Sequence, residues 1–301
     1  MQRGPPRQPL KRPRDGNENE NAPVPRRNIS HPFRANFNDH FETSLEALRD
    51  VLAAVQEVRQ QLRPSTPEKF TLYDPYYCSG TVVASWAQLD MPNVINENVD
   101  FYATMANHTI PVHDMLVTNP PFSDDHIPRL MKFLADGNDG RPWAFLAPDY
   151  VATKPWYIQF VNEHYAKATR VAKGVLRGPA PTAPRSFALP PYLAAGNTAA
   201  TKVLPVEPFY IIPKQKYDFH HPVEGVGKEH SHFKSMWYVW AGRHTNDVVR
   251  ASRVELLRRH PTGAAPAVVH GLEALKESNL VASTDKRLNP ERRGKMYPKK
   301  K

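Results

Sequence analysis

Cysteine is almost missing from this chain. Cys78 stands alone among 301 residues, which excludes an intrachain disulfide framework and any zinc module built on several cysteines. A reducing, intracellular compartment fits that usage best. Equally missing is any stretch of about 18 uncharged apolar residues, so a spanning helix is excluded and no membrane partner is expected. The amino terminus is polar and rich in Pro and Arg, without the apolar core of a secretory signal. What is present is enough for a core: 40% of residues are hydrophobic and 10% aromatic, which rules out a wholly disordered chain. The length suits one large domain or two small ones.

The net charge is +10, but it is unevenly placed. Residues 1–34 carry eight Lys/Arg against Asp15, Glu18 and Glu20, a net of +5. Residues 286–301 carry eight against Glu291 alone, a net of +7, which leaves the middle at −2. The basicity belongs to the tails and the body is nearly neutral. Residues 1–36 are Pro-, Arg- and Asn-rich with few large apolar groups, so they are expected to be a disordered basic tail. The sequence Lys11-Arg12-Pro13-Arg14 reads as a nuclear localisation signal or as a solvated, phosphate-attracting run, with cytoplasm or an organelle as the alternatives to a nuclear location. Residues 286–301, ending Lys299-Lys300-Lys301, read as a second basic tail.

Between them, residues 37–285 are expected to form one domain. Thr43 followed by Glu46 is a capping-box pattern, and Leu45, Leu48, Leu52, Val55 and Leu62 recur at helical spacing until Pro64 and Pro67. A strand over Phe70–Tyr73, a helix over Thr81–Leu89 and a strand over Asn93–Ile95 follow. Met115–Val117 reads as a strand. A helix capped at Ser123 then buries Ile127, Leu130, Met131 and Leu134 and stops at Gly137. A strand over Trp143–Ala147 and a helix over Trp156–Ala168 continue the alternation, which predicts a parallel sheet with crossover helices. The stretch between Ile95 and Asp114 is too short for another helix and strand, so the sheet is abbreviated there. Residues 174–200 are a Pro/Ala-rich insertion. Lys202–Ile212 and Met236–Ala241 have strand character and suit an antiparallel pair at the sheet edge, with helices over 246–259 and 267–277 after them.

The sharpest local feature is Asn119-Pro120-Pro121-Phe122 at the carboxyl end of a buried strand, where open α/β sheets bind ligands. An Asn side-chain oxygen and the carbonyl of the following Pro are both acceptors. Two prolines fix the backbone so that the acceptors converge on both hydrogens of a planar NH2 group. Phe122 then offers a stacking face. Accepting those hydrogen bonds makes the nitrogen lone pair nucleophilic without a charged base. The plainer alternative is a Pro-Pro turn capped by Asn.

Leu116-Val117-Thr118-Asn119-Pro120-Pro121-Phe122 resembles the signature of S-adenosylmethionine-dependent amino methyltransferases, which methylate adenine N6, cytosine N4 or a protein glutamine amide. Tyr73-Asp74-Pro75-Tyr76-Tyr77-Cys78-Ser79-Gly80 is similar to the cofactor loop of the same enzymes, retaining Asp74, Pro75, Cys78, Ser79 and Gly80 but only one glycine. The resemblance implies a Rossmann-like α/β fold, its sheet mostly parallel with an antiparallel edge strand and flanked by helices. It also implies S-adenosyl-L-methionine as cofactor, held by Asp74, Tyr76, Cys78 and Gly80. Asn96, with Glu97 as the alternative, stands where the family grips the ribose. Asp100-Phe101 resembles the pair that contacts the cofactor adenine; a helix N-cap is the plainer reading of Asp100. Thr43 resembles the residue bordering the methionine carboxylate. Asn119, Pro120, Pro121 and Phe122 would form the acceptor site.

Lys154, Trp156 and Tyr157, just past a strand end, are candidates for base stacking and a phosphate contact. His220, His221, His230 and His232 cluster without a metal-binding spacing, so no metal is expected. These features predict an enzyme transferring methyl to an exocyclic amino group, adenine N6 in RNA or DNA first, with nucleic acid as partner and a protein subunit as a second one. The alternatives are a protein side-chain amide as acceptor, and a catalytically decayed methyltransferase-like scaffold that binds nucleic acid.

Overall fold

The computed structural model describes residues 31–33, 41–166, 206–219 and 234–281. The basic run at 11–14, the insertion at 174–200, the four clustered histidines and the tail at 286–301 all lie outside the described residues.

Strand and helix alternate as the periodicity requires. Helix α1 (Leu45–Leu62) is capped by Ser44, one residue later than the Thr43 cap predicted above: its hydroxyl accepts from the Ala47 N–H at 3.3 Å. There follow β1 (Leu72–Tyr73), α2 (Thr81–Ala87), β2 (Val94–Ile95), α3 (Phe101–Ala106), β3 (Met115–Thr118), α4 (His126–Asp136) and β4 (Trp143–Pro148). Helix α4 begins three residues after the predicted Ser123 cap, with Asp125 in the N-cap position. Helix α5 (Pro155–Val161) runs into a π-helical turn at Asn162–Ala166. Then come β5 (Phe209–Ile212), β6 (Ser235–Trp240), α6 (Thr245–Arg259), β7 (Ala267–His270) and α7 (Leu272–Glu277).

The strands form one seven-stranded sheet in the order β2-β1-β3-β4-β6-β5-β7. Pairing is parallel among β2, β1, β3 and β4, and antiparallel from β4 through β6 and β5 to β7. Five strands therefore share one direction and only β6 and β7 oppose it, an α/β arrangement compatible with a Rossmann-like fold. Strands β5 and β6 pair antiparallel as expected, with β6 inserted between β4 and β5, and the edge strand beyond them is β7, antiparallel to β5. No strand separates β2 from β3 in the chain, and β2 is a sheet edge, which is the abbreviation the short connection predicts.

Two expected elements are corrected. The segment 267–277 is not one helix: Ala267–His270 pairs with β5, Ile212 opposite Ala267 and Phe209 opposite His270. Val268 and Val269 suit a pleated edge, and Gly271 at φ +86° turns the chain out of the strand before α7. The apolar spacing that suggested a long helix belongs only to Leu272 and Leu275, the buried residues of α7. The strand expected over 202–212 is confined to Phe209–Ile212 within the described residues.

Both faces of the sheet are covered, which is why its central strands read as unbroken apolar runs. Met115, Val117, Ala144, Leu146, Trp237 and Val239 face one way, onto α1 and α6. Leu116, Phe145, Tyr210 and Tyr238 face the other, onto α4, α5 and α7. Cross-strand neighbours stack directly: Phe145 and Tyr238 are register partners with ring centroids 4.8 Å apart and planes within 6°. Trp237 joins layers by donating from Nε1 to the Ala47 carbonyl at 2.8 Å.

Candidate ligand cleft at the strand ends

Strand β1 has β2 on one side and β3 on the other, so the chain reverses its direction of winding there, the place where open α/β sheets leave a crevice. Three loops leave the carboxyl ends of these strands: 74–80 after β1, 96–100 after β2 and 119–125 after β3. With Phe41–Thr43 ahead of α1 they line a cleft that is partly open to solvent. Thr43, Asp74, Tyr76, Cys78, Gly80, Asn96, Asp100 and Phe101, widely spaced in the chain, all line it, as do Asn119 and Pro121.

Asp74 is the hinge between β1 and β3. It is buried, and its Oδ1 accepts from the Thr118 hydroxyl and from the Tyr76 N–H at 3.3 Å. Burial pushes its carboxyl up to about 7, against the lowering effect of those two donors. Asn96 donates to the Asp74 carbonyl at 3.0 Å, and its own Oδ1 is buried without a hydrogen-bond partner. Glu97 is exposed and does not line the cleft, so the choice between the two falls to Asn96. Asp100 does cap α3, accepting from the Tyr102 N–H at 2.9 Å, while also lining the cleft. Gly80 adopts φ +81°, and a Cβ there would stand 2.9 Å from the Tyr77 hydroxyl. Only glycine fits that turn. Cys78 is half-buried, and burial, then Glu42 and Asp74, push its thiol far up, so it is a neutral thiol at physiological pH.

Asn119 is fixed by a single donor bond. Its Nδ2 donates to the Phe41 carbonyl at 3.1 Å. Because that partner can only accept, the amide orientation is set, and Oδ1 is the free end. That oxygen is buried and has no hydrogen-bond partner. A buried acceptor left unmade costs about 1–3 kcal/mol, so the site is incomplete without a donor. Pro120 and Phe122 do not line the cleft. Phe122 packs into both core clusters, its ring meeting Phe219 at 6.2 Å and 88°. It is half-buried and braces the loop against the core.

One further correction concerns the segment after β4, at Tyr157. Lys154, Trp156 and Tyr157 do not line the cleft. Tyr157 is fully buried, with its hydroxyl 3.0 Å from that of Tyr210, so it has no face for a base. Lys154 lies at the N-cap of α5 with Nζ 5.3 Å from the Tyr150 ring centroid, and Trp156 remains exposed.

Sequence reasoning placed Tyr76 in the site but missed the rest of the far wall. Tyr76 and Tyr102 join hydroxyls at 3.2 Å, Tyr102 also bonds His126 Nδ1, and the Arg129 guanidinium lies 3.3 Å from the Tyr102 ring centroid. These contacts tie α3 to α4 and close one end of the cleft. The only available signal was the spacing of His126 and Arg129 on one face of α4, which does not name its partner.

The lining also has a sign. It contains the carboxyls of Glu42, Asp74 and Asp100 and no Lys or Arg among the described residues. Such a cleft disfavours phosphates and suits a neutral or cationic organic ligand with a planar group. Fold and cleft thus define an α/β protein with a cleft at the carboxyl ends of parallel strands. The chain matches no protein-family profile, and no curated protein or solved structure matches it either. No helix among the described residues is long and apolar enough to cross a membrane. Among them no group of three or more His, Cys, Asp and Glu is placed to hold a metal ion.

Proposed function

We propose that the protein is an S-adenosylmethionine-dependent N-methyltransferase acting on an exocyclic amino group, adenine N6 in RNA or DNA first. The observation that carries this reading is the buried, unpartnered Asn119 Oδ1 in a cleft lined by carboxylates. The residues fit the cofactor: its ammonium and sulfonium groups are cationic, the cleft is acidic, and Asn96 Oδ1 is a second orphaned acceptor able to take a ribose hydroxyl. Asp74, Cys78 and Gly80 would border its methionine part, and Asp100 and Phe101 its adenine. When bound, S-adenosylmethionine supplies a methyl group on sulfonium to the acceptor nitrogen.

The chain's own residues position and desolvate. Asn119 Oδ1 accepts one hydrogen of the target NH2 and holds the group with its lone pair free of conjugation. The Phe41 carbonyl keeps that amide from turning, and Phe122 and Phe219 keep the loop from yielding. Catalysis of this kind relies on orientation and needs no metal. A base inside a duplex would have to be extruded to reach the loop. The basic tails would hold nucleic acid by salt-sensitive phosphate attraction.

Incubation of the full-length protein with methyl-labelled cofactor and separate RNA, DNA and protein acceptors tests the reading. Label in N6-methyladenosine is expected. Label in glutamine would move the acceptor to protein, and no label in any fraction would sink the assignment. A decayed, non-catalytic scaffold is the second reading, favoured by Tyr77, whose hydroxyl donates to the Ser79 carbonyl at 3.2 Å and fills the turn where the family has small residues. It predicts no cofactor binding in the same protein.

Cofactor binding should depend on pH through Asp74. Its carboxyl is raised to about 7 by burial, so the free protein holds it protonated below that pH and charged above it. A cationic ligand favours the charged form. Affinity for S-adenosylmethionine is therefore expected to fall by up to about tenfold per pH unit below 7 and to level off above it. Titration calorimetry from pH 5.5 to 8.5 would check this, with Asp74→Asn flattening the profile. A flat profile in the unaltered protein would remove Asp74 from the ligand's charge balance. The same shift opposes folding as pH rises from about 4 to 7, because the unfolded carboxyl ionises first.

A further inference from the structure

A short piece of chain far ahead of α1 reaches the mouth of the cleft. His31, Pro32 and Phe33 belong to no helix or strand. His31 Nδ1 lies 3.0 Å from Asn98 Oδ1. The same imidazole meets the Tyr77 ring edge-on, with centroids 6.0 Å apart and planes at 75°, and packs on Phe33 at 5.1 Å. Tyr77 belongs to the loop leaving β1 and Asn98 to the loop leaving β2, so one side chain touches both lips of the cleft. Phe33 is half-buried and lines the cleft itself. Pro32 has no N–H to pair, and among the described residues the contacts of His31 join this piece of chain to both lips.

We propose that His31-Pro32-Phe33 is the outer wall of the ligand site, with Phe33 as an apolar contact for the bound ligand and the His31–Asn98 hydrogen bond as the latch that holds the wall across both loops. The inference rests on reading the cleft as a cofactor site and adds the binding residues that reading lacks. The Asn98 carbonyl oxygen can only accept, so the latch requires the hydrogen on Nδ1 of His31. The interior of the cleft carries the carboxyls of Glu42, Asp74 and Asp100 among aromatic and apolar side chains, and the wall adds a further aromatic ring in Phe33. A planar, apolar group is therefore covered on the outside while charged groups are met on the inside. A ligand leaving on this side must pass the wall, so the wall bears on residence time more than on the chemistry.

Cys78, next to Tyr77 and lining the cleft, is the chain's only thiol and serves as a reporter of cover. In the full-length protein without ligand, His31→Ala and Phe33→Ala are each expected to raise the rate of Cys78 alkylation by iodoacetamide by about fivefold, the worth of one aromatic contact. Phe33→Trp should keep the slow rate. With S-adenosylhomocysteine as the probe, stopped-flow displacement should show both alanine variants releasing it about fivefold faster. Unchanged alkylation in both variants overturns the wall. If they expose Cys78 while the unaltered protein binds no S-adenosylhomocysteine, the wall stands and the cofactor reading falls. If the unaltered protein binds it and neither variant releases it faster, the wall is not part of the site. Both side chains are surface-docked and half-buried, so the variants should keep the unfolding midpoint of the parent.

Discussion

Asn119→Ala should lower methyl transfer at saturating cofactor by about a hundredfold or more, the usual cost of deleting one preorganised hydrogen-bonding group. The affinity for S-adenosylhomocysteine should change by less than about threefold. The split follows from geometry. The cofactor-side groups sit on the loops after β1 and β2, whereas Asn119 follows β3 and touches the Phe41 carbonyl. Removing its amide deletes the free acceptor but leaves Asp74, Asn96 and Asp100 in place. Asn119→Asp is a sharper variant. A carboxylate keeps an acceptor but cannot donate to the Phe41 carbonyl, which would then face a second acceptor while buried. Transfer should be partly retained only if the acceptor alone matters, and lost if the fixed orientation matters too. Single-turnover transfer with a saturating cofactor, alongside calorimetric binding, separates these outcomes. Equal loss of binding and transfer in Asn119→Ala would place the residue in the cofactor site instead.

Trp237→Ala should destabilise the fold by about 3–5 kcal/mol, the usual cost of truncating a buried aromatic. That is a large share of the roughly 5–15 kcal/mol that holds a domain together. Trp237 is 1% exposed on β6, opposite Leu146 on β4, and its Nε1 donates to the Ala47 carbonyl in α1. Truncation therefore opens a cavity between sheet and helix and cuts a link between layers. Trp237→Phe should lose much less, since it keeps most of the volume and gives up a hydrogen bond worth about 1 kcal/mol. Trp156→Ala is the natural control: that indole is 37% exposed, and its loss should stay within about 0.5 kcal/mol. Urea unfolding at equilibrium would measure all three. A Trp237→Ala loss no larger than that of Trp156→Ala would mean that β6 is not packed against α1.

The sequence made the parallel half of the sheet readable because each of its elements carries a local signal. Helix α1 shows apolar spacing between a cap and two prolines, and β3 shows a buried run ending at Asn119. Distance along the chain hid the rest. β6 pairs with β5 as its strand character suggested, but nothing in Met236–Trp240 names β4 as its other neighbour. The strand Ala267–His270 was absorbed into a helical pattern because Leu272 and Leu275 continue its apolar content. In the cleft, residues with backbone roles were legible: Gly80 needs its positive φ and Asp100 its cap. Residues whose roles depend on a partner were not. Tyr157 is aromatic and follows a strand, yet its hydroxyl has Tyr210 for a partner in the core. His31 and Phe33 lie in a stretch whose composition gives no sign of docking.

The tie between β1 and β3 has a last consequence. Tyr73 is in register with Leu116, so Asp74 and the residues leading to Asn119 advance side by side on adjacent strands. Strands lie about 4.8 Å apart, and the Thr118 hydroxyl bonded to Asp74 pins that spacing at the very end of the pair. The sheet thus acts as a ruler between the two halves of the cleft. On the proposed function, a donor group and an acceptor group bound on either side would be held at a separation written in backbone, not in side chains. Evolution could vary the loops for new acceptors without recalibrating that distance. A shift of register by two residues, about 7 Å along the strand, would leave every side chain on its own face and still put the two halves out of reach.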